Sequence, residues 1–233
     1  MYLEWVSRRV PGATAWIRSV PPPGDNHRVV PDGCMDLIWV SGELLVAGPD
    51  TAAYVSTGPP GVRYAALRFP PGLAPAVLGT PAAELRDRRV PLEALWRPAE
   101  ARRLAGLGAR AARLGPGAVT AVLEEAAAAR LAAGGGPDPL AARLVGWLRE
   151  GRTVRCAADR SGLSERQLHR RCLPLFGYGP KTLGRVLRFD RALALARAGR
   201  PFAEVAVHAG YADQAHLSRE VRALAGVPLR ALV

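Results

Sequence analysis

The chain has 233 residues, about half of them apolar, which is enough for one large domain or two modest ones with buried cores. No stretch approaches the roughly 18 unbroken apolar residues of a membrane helix, and the first residues, MYLEWVSRRV, contain no apolar leader run. A soluble cytoplasmic protein is expected. The formal net charge is +12, and it is uneven. Residues 137–233 hold 17 Lys/Arg against 8 Asp/Glu, whereas residues 1–136 hold 15 against 12. A basic excess gathered in one segment is the footprint of a polyanionic partner, most often nucleic acid. Compositional bias explains why Lys181 is the single lysine, but not the asymmetry. Cys34, Cys156 and Cys172 lie far apart, with no CxxC and no zinc spacing. Neither a disulfide frame nor a structural zinc site is supported.

From the N-terminus, HRVVPDGCMDLIWV, GELLVAGP and VRYAALRF read as short strands bounded by Gly and Pro. The regular prolines between residues 11 and 71 suit a small barrel or sandwich. From Thr80-Pro81, an N-cap followed by a first-turn proline, the pattern turns helical through PAAELRDR, EARRLAGLGARAARL and AVTAVLEEAAAARLAA. The run AAGGGPDP cannot continue a helix and reads as a linker. The expected fold class is α+β in two domains. Residues 1–136 form a domain with a β-rich part (1–79), a helical tail (80–133) and the start of a Gly-rich linker (134–138). Residues 137–233 form an all-α domain.

In that second domain the helices PLAARLVGWLREG, TVRCAADRSGL, SERQLHRRC and PKTLGRVLRFDRALALARAG precede a final pair. In this pair, Phe202, Val205, Ala206 and Ala209 follow the i, i+3, i+4, i+7 spacing of one helix face. Gly210 permits the turn and Asp213 caps the next helix. Leu217, Val221 and Leu224 face inward, leaving Ala215, Ser218, Arg219 and Arg222 away from the stripe and Gln214 at the tip. This is a helix-turn-helix over about 202–225. An earlier one spans about 153–173. It buries Val154, Ala157 and Ala158, turns at Gly162, restarts on the Ser164/Gln167 capping box, and directs Leu168 and Cys172 inward with Arg166, His169 and Arg170 outward. Second helices of such units enter the major groove, where Arg forks onto guanine and Gln onto adenine.

Residues 140–233 resemble the DNA-binding domain of the AraC/XylS family of bacterial transcription regulators. The resemblance rests on GLSERQLHRR, GYGPKTLGRVLRFDRAL and GYADQAHLSREVRALAGVP in the family's order. It implies two reading helices in successive major-groove segments, with Arg166, His169 and Arg170 facing one and Gln214, Ala215, Ser218 and Arg219 facing the next. It also implies a double-stranded promoter or operator as partner, with a small-molecule effector and RNA polymerase as further partners, no membrane and no cofactor, and a monomer or homodimer as the unit. His208 and His216 are expected to be structural or solvent-facing, and Arg185 and Arg188 to solvate the linking helix. Two positions depart from the family pattern. Cys172 stands where a large aromatic is common, and Pro174 falls at the end of the first reading helix, which is expected to end or bend by Leu173.

Residues 1–133 resemble an N-terminal domain of one branch of that family through HRVVPDGCMDLIWV, LLVAGPDT and ELRDRRVPLEALW. The resemblance names no function for it, and ligand sensing or dimerisation is the expectation. PDGCMDLIW reads as a Gly-permitted turn with a buried cysteine. A Cys34–His27 nucleophile, or a His27, Cys34 and Asp36 metal trio, is the alternative, and would make this domain a Cys34-dependent enzyme or alkyl acceptor. Trp5, Trp16, Trp39, Tyr54, Tyr64 and Phe69 read as core before pocket lining. Arg68 reads as solvent-facing.

Overall fold

The computed structural model describes residues 1–233, the side chain of Asp25 excepted. Strands β1 (Tyr2–Val6), β2 (Thr14–Ser19), β3 (Asp25–Val29), β4 (Met35–Val40), β5 (Glu43–Ala47), β6 (Tyr54–Gly58), β7 (Arg63–Phe69) and β8 (Arg89–Pro91) occupy the first 91 residues. They form a six-stranded sheet in the order β1-β2-β7-β4-β5-β8 and a separate pair, β3-β6, all antiparallel. The β-rich half is therefore two open sheets, not a closed barrel. Period-2 alternation decides the buried face. Ala65, Leu67 and Phe69 of β7 are buried on one face, while on the other Tyr64 and Arg68 are half-buried and only Ala66 between them is fully covered.

Helices α1 (Ala74–Leu78), α2 (Ala82–Leu85), α3 (Pro98–Ala111) and α4 (Pro116–Ala133) complete this half. Helix α4 packs across β7 and β2. Its Leu123 and Ala127 share a core with Leu37, Val46, Leu67 and Phe69. The expected boundary between strands and helices is blurred. Helix α1 precedes residue 79, and β8 follows α2 because Val90 pairs with Val46 at the sheet edge. The six aromatics divide: Phe69 and Trp16 are buried, Trp39 and Tyr64 half-buried, Trp5 and Tyr54 exposed. Among the described residues no helix is long and apolar enough to cross a membrane.

Helices α5 (Pro139–Arg149), α6 (Val154–Arg160), α7 (Glu165–Phe176), α8 (Pro180–Arg197), α9 (Phe202–Ala209) and α10 (Gln214–Ala225) make the second half. They bury two distinct cores. One joins α5, α6, α7 and the first part of α8 through Leu144, Leu168, Phe176 and Leu183. The other joins the rest of α8 to α9 and α10 through Phe189, Val205, Leu217 and Val221. Helix α7 does not stop at Leu173. It runs through Pro174 to Phe176 and closes on Gly177, whose N–H bonds to Leu173 O. Proline is tolerated because it lies in the last turn on an exposed face, where it removes a single helical hydrogen bond.

The two halves are docked. Helix α2 packs on α7, and the loop at Pro71-Gly72 meets α5 and α7. Gly72 has φ +87, and a Cβ there would lie 2.6 Å from Ala141 Cβ and 2.9 Å from Phe176 Cε1. Gly72→Ala should therefore cost roughly 2–4 kcal/mol, adding overpacking to left-handed strain. Gly42→Ala has φ +93 but open space around it, so it should lose only the backbone part, about 1–2 kcal/mol. Urea unfolding of both variants tests this, and equal losses would show that the docking contact at Gly72 carries no strain.

Candidate nucleic-acid interface

Each helix-turn-helix is built by local chemistry. Thr153 Oγ1 accepts from Cys156 N at 3.1 Å and starts α6. Ser164 and Gln167 form the reciprocal capping box of α7, at 2.8 and 3.2 Å. In the second unit α9 ends on Gly210 in the left-handed conformation. Asp213 Oδ1 accepts from His216 N at 2.6 Å to start α10. Val205, Ala206 and Ala209 pack against Leu217 and Val221, as their spacing predicts, with Phe202 at the rim. In the first unit Ala157, Ala158, Leu168 and Cys172 are buried, and burial pushes the Cys172 thiol up to about 12. Phe176, one turn on from Cys172, is fully buried in the same core.

Helices α7 and α10 have the same length, and both end on a left-handed glycine, Gly177 and Gly226. Arg170 and Arg219 are each the sixth residue of their helix. Arg166, His169 and Arg170 on α7 are exposed, as are Gln214, Ala215, Ser218 and Arg219 on α10. Their positions differ in one respect. His169 sits against Gly179 at the start of α8, where a Cβ on Gly179 would lie 2.4 Å from its Nδ1. It is therefore on the flank of α7, while Arg166 and Arg170 face away from the core.

Ion pairing separates the arginines in a way the sequence did not. Arg171 pairs with Asp138, and Arg200 with Glu204. Arg185 and Arg188 are not simply solvated. Arg185 makes a two-pronged bond to Glu220 of α10, at 2.8 and 3.2 Å, which holds the Glu220 carboxyl below its usual range. Arg188 donates to Gly210 O at 3.3 Å and lies over the Tyr211 ring. Among the described residues, Arg166, Arg170 and Arg219 have no internal hydrogen-bond or ion-pair partner, so their guanidinium groups remain available to an external acceptor. Arg222, exposed and likewise unpaired three residues beyond Arg219, joins this set. Its place off the buried stripe of α10 was the signal for it. His208 and His216 are engaged locally: His208 Nδ1 lies 2.8 Å from Glu204 O, and Ala212 N donates to His216 Nδ1 at 3.4 Å.

The turn at Cys34 has a different character. Cys34 N donates to Asp32 Oδ1 at 2.8 Å. Arg68 is not a solvated arginine: its Nε is 3.3 Å from Asp36 Oδ1 and 3.9 Å from Asp32 Oδ2. Trp16 Nε1 donates to the same Asp36 oxygen at 2.6 Å. Burial, and then the Asp32 and Asp36 carboxylates, push the Cys34 thiol well above its ordinary value. This is the reverse of thiolate activation. His27 lies on β3 in the other sheet, opposite Ser56. Among the described residues no group of three His, Cys, Asp or Glu side chains is placed to hold a metal.

Comparison with known proteins agrees with this geometry. Residues 157–232 match the model of a helix-turn-helix domain, and residues 13–91 match a domain of unknown function, DUF6597. No curated protein matches the chain by sequence. The structure is similar to that of ToxT from Vibrio cholerae, with TM-score 0.51 and 9% identity over 94% of this chain and 97% of that one. It is similar also to the apo form of a ToxT point variant from Vibrio cholerae strain SCE256, with TM-score 0.50 and 10% identity over 97% of this chain and 100% of that one. These likenesses extend across both halves and concern the fold. Residues 157–232 thus carry a helix-turn-helix domain of the AraC type, and residues 13–91 a domain of unknown function on its N-terminal side.

Proposed function

We propose that the protein is a sequence-specific, DNA-binding transcription regulator that reads two successive major-groove segments with α7 and α10. One observation carries the reading: two helices of equal length present exposed faces on which Arg166, Arg170 and Arg219, unlike Arg171, Arg185 and Arg188, have no hydrogen-bond or ion-pair partner inside the protein. Arg166 and Arg170 face the first segment, with His169 at its edge. Gln214, Ala215, Ser218 and Arg219 face the second. Arg170 and Arg219, equivalent in the two helices, are suited to fork onto guanine O6/N7, and Gln214 onto adenine. The N-terminal half serves as a small-molecule sensor, a dimerisation unit, or both. An effector acts there only if it binds differently to two arrangements of the halves.

The enzymatic alternative at Cys34 is disfavoured by its raised thiol pKa and by the separation of His27 onto the other sheet. Iodoacetamide should label Cys34 at neutral pH no faster than an ordinary unactivated thiol. Rapid labelling would restore the nucleophile reading. An architectural binder without site preference would hold all duplexes equally at fixed salt. Arg219→Ala should lose about 1–3 kcal/mol on a site selected from the DNA upstream of its own gene, and markedly less on a scrambled duplex. Equal losses on the two duplexes would reduce Arg219 to a phosphate contact.

A further inference from the structure

The two cores of the DNA-binding half share only α8. Leu183, Val186 and Leu187 serve the first, and Phe189, Ala192, Leu193 and Ala196 the second. On one side the lobes are separated by a cavity of about 300 Å³, lined by Leu148, Arg152, Gly184, Val207 and Gly210 among others. Within this half, the spacing of α7 and α10 rests on one helix. The N-terminal half supplies a second connection, and it grips matching points.

At the end of α7, Arg86 Nη1 donates to Gly177 O at 3.2 Å. At the end of α10, Arg28 Nη1 donates to Ala225 O at 3.0 Å, and Ala53 N donates to Leu224 O at 2.7 Å. These carbonyls belong to the last turns of the two helices, where backbone oxygens lack helical partners and cations are favoured. The fit is tight at Gly177 and an ordinary contact at Gly226. Gly177 has φ +83, and a Cβ on it would lie 2.7 Å from Pro49 Cγ and 3.1 Å from Ala82 O. The Gly226 Cβ position is 3.5 Å from Arg28 Nη1. Val30 joins the second core from the N-terminal side. Beside Gly177, buried Tyr178 places its hydroxyl 3.5 Å from the Cβ position of Gly33 in the Cys34 turn.

We propose that the N-terminal half is a two-point crossbar that sets the separation and tilt of the reading helices, with Arg86 and Arg28 as positioning residues. The inference deepens the DNA-reading function and rests on it. Arg86 and Arg28 act through the ends of α7 and α10, not by touching DNA. Their role is in how far apart the two DNA elements must lie. One added base pair moves an element about 3.4 Å along the duplex and roughly 34° around it. A rigid two-point reader rejects that change, and one joined by α8 alone tolerates it.

The test is selection of binding sites from a randomised duplex pool by the full-length chain, Arg28→Ala, Arg86→Ala, the double variant and the double Lys replacement, with a thermal melt of each. The wild type is expected to enrich two short elements at one spacing and to bind duplexes with one base pair more or less at least about tenfold weaker, within the range of a mismatched pair. The double alanine variant should keep the same two elements but bind the three spacings within about threefold. Each single variant should fall between. The Lys replacements, which retain a donor and a charge, should restore much of the preference. A double variant that keeps the wild-type spacing preference overturns the crossbar. So does one that loses the elements together with its melting transition, since the arginines would then only hold the fold. A wild type that enriches no elements refutes the DNA-reading function itself, a different outcome from either.

Discussion

Helix α8 is the constraint on which the rest of the DNA-binding half depends. It is buried along its length, but by two different cores in succession. Each core is complete enough to fix its own helix-turn-helix, with capped helices and glycine exits. Neither core reaches the other. Arg185 and Arg188 extend the influence of α8 onto α10 and the turn before it. The result is two helix-turn-helix lobes on one shaft, a design that gives α7 and α10 each a firm base and leaves their mutual placement to contacts elsewhere.

Those contacts come from a domain whose own chemistry is concentrated near the docking surface. In the Cys34 turn, Asp32 and Asp36 share Arg68, and Asp36 also holds Trp16 from the neighbouring strand. Burial raises the pKa of both carboxyls against the opposing effect of Arg68. The same turn approaches Tyr178 where α7 hands over to α8. Charge on the six-stranded sheet and the exit from α7 are thus separated by a single turn of chain.

Much of the second half was legible in the sequence because its determinants are local. Capping residues, glycine exits and i, i+3, i+4 spacing place α6, α7, α9 and α10 and their buried faces without knowledge of anything distant. Pro174 misled because a proline's cost depends on its turn and face, and here it occupies the exposed last turn. The arginines were the harder problem. Charge and exposure alone cannot distinguish Arg185, bound to Glu220 across the fold, from Arg170, bound to nothing. The first half was legible only as strand-rich. Its order β1-β2-β7-β4-β5-β8 joins strands far apart in sequence, and no periodic pattern reports which strand neighbours which. The docking of the halves, through backbone carbonyls and glycines, leaves still less trace in residue type.

That strand order has a consequence for how the molecule forms. Strand β2 finds its partner β7 only after β3 to β6 have been laid down, whereas α6 to α10 pack largely against near neighbours in sequence. Contacts between distant segments carry a larger loop-closure cost and form slowly, while short-range helical packing is fast. The helical lobes therefore have the quicker route to structure, although they are made last, and the sheet is the slow step of maturation. Until it closes, the two helical lobes are folded but lack their contacts with the N-terminal half.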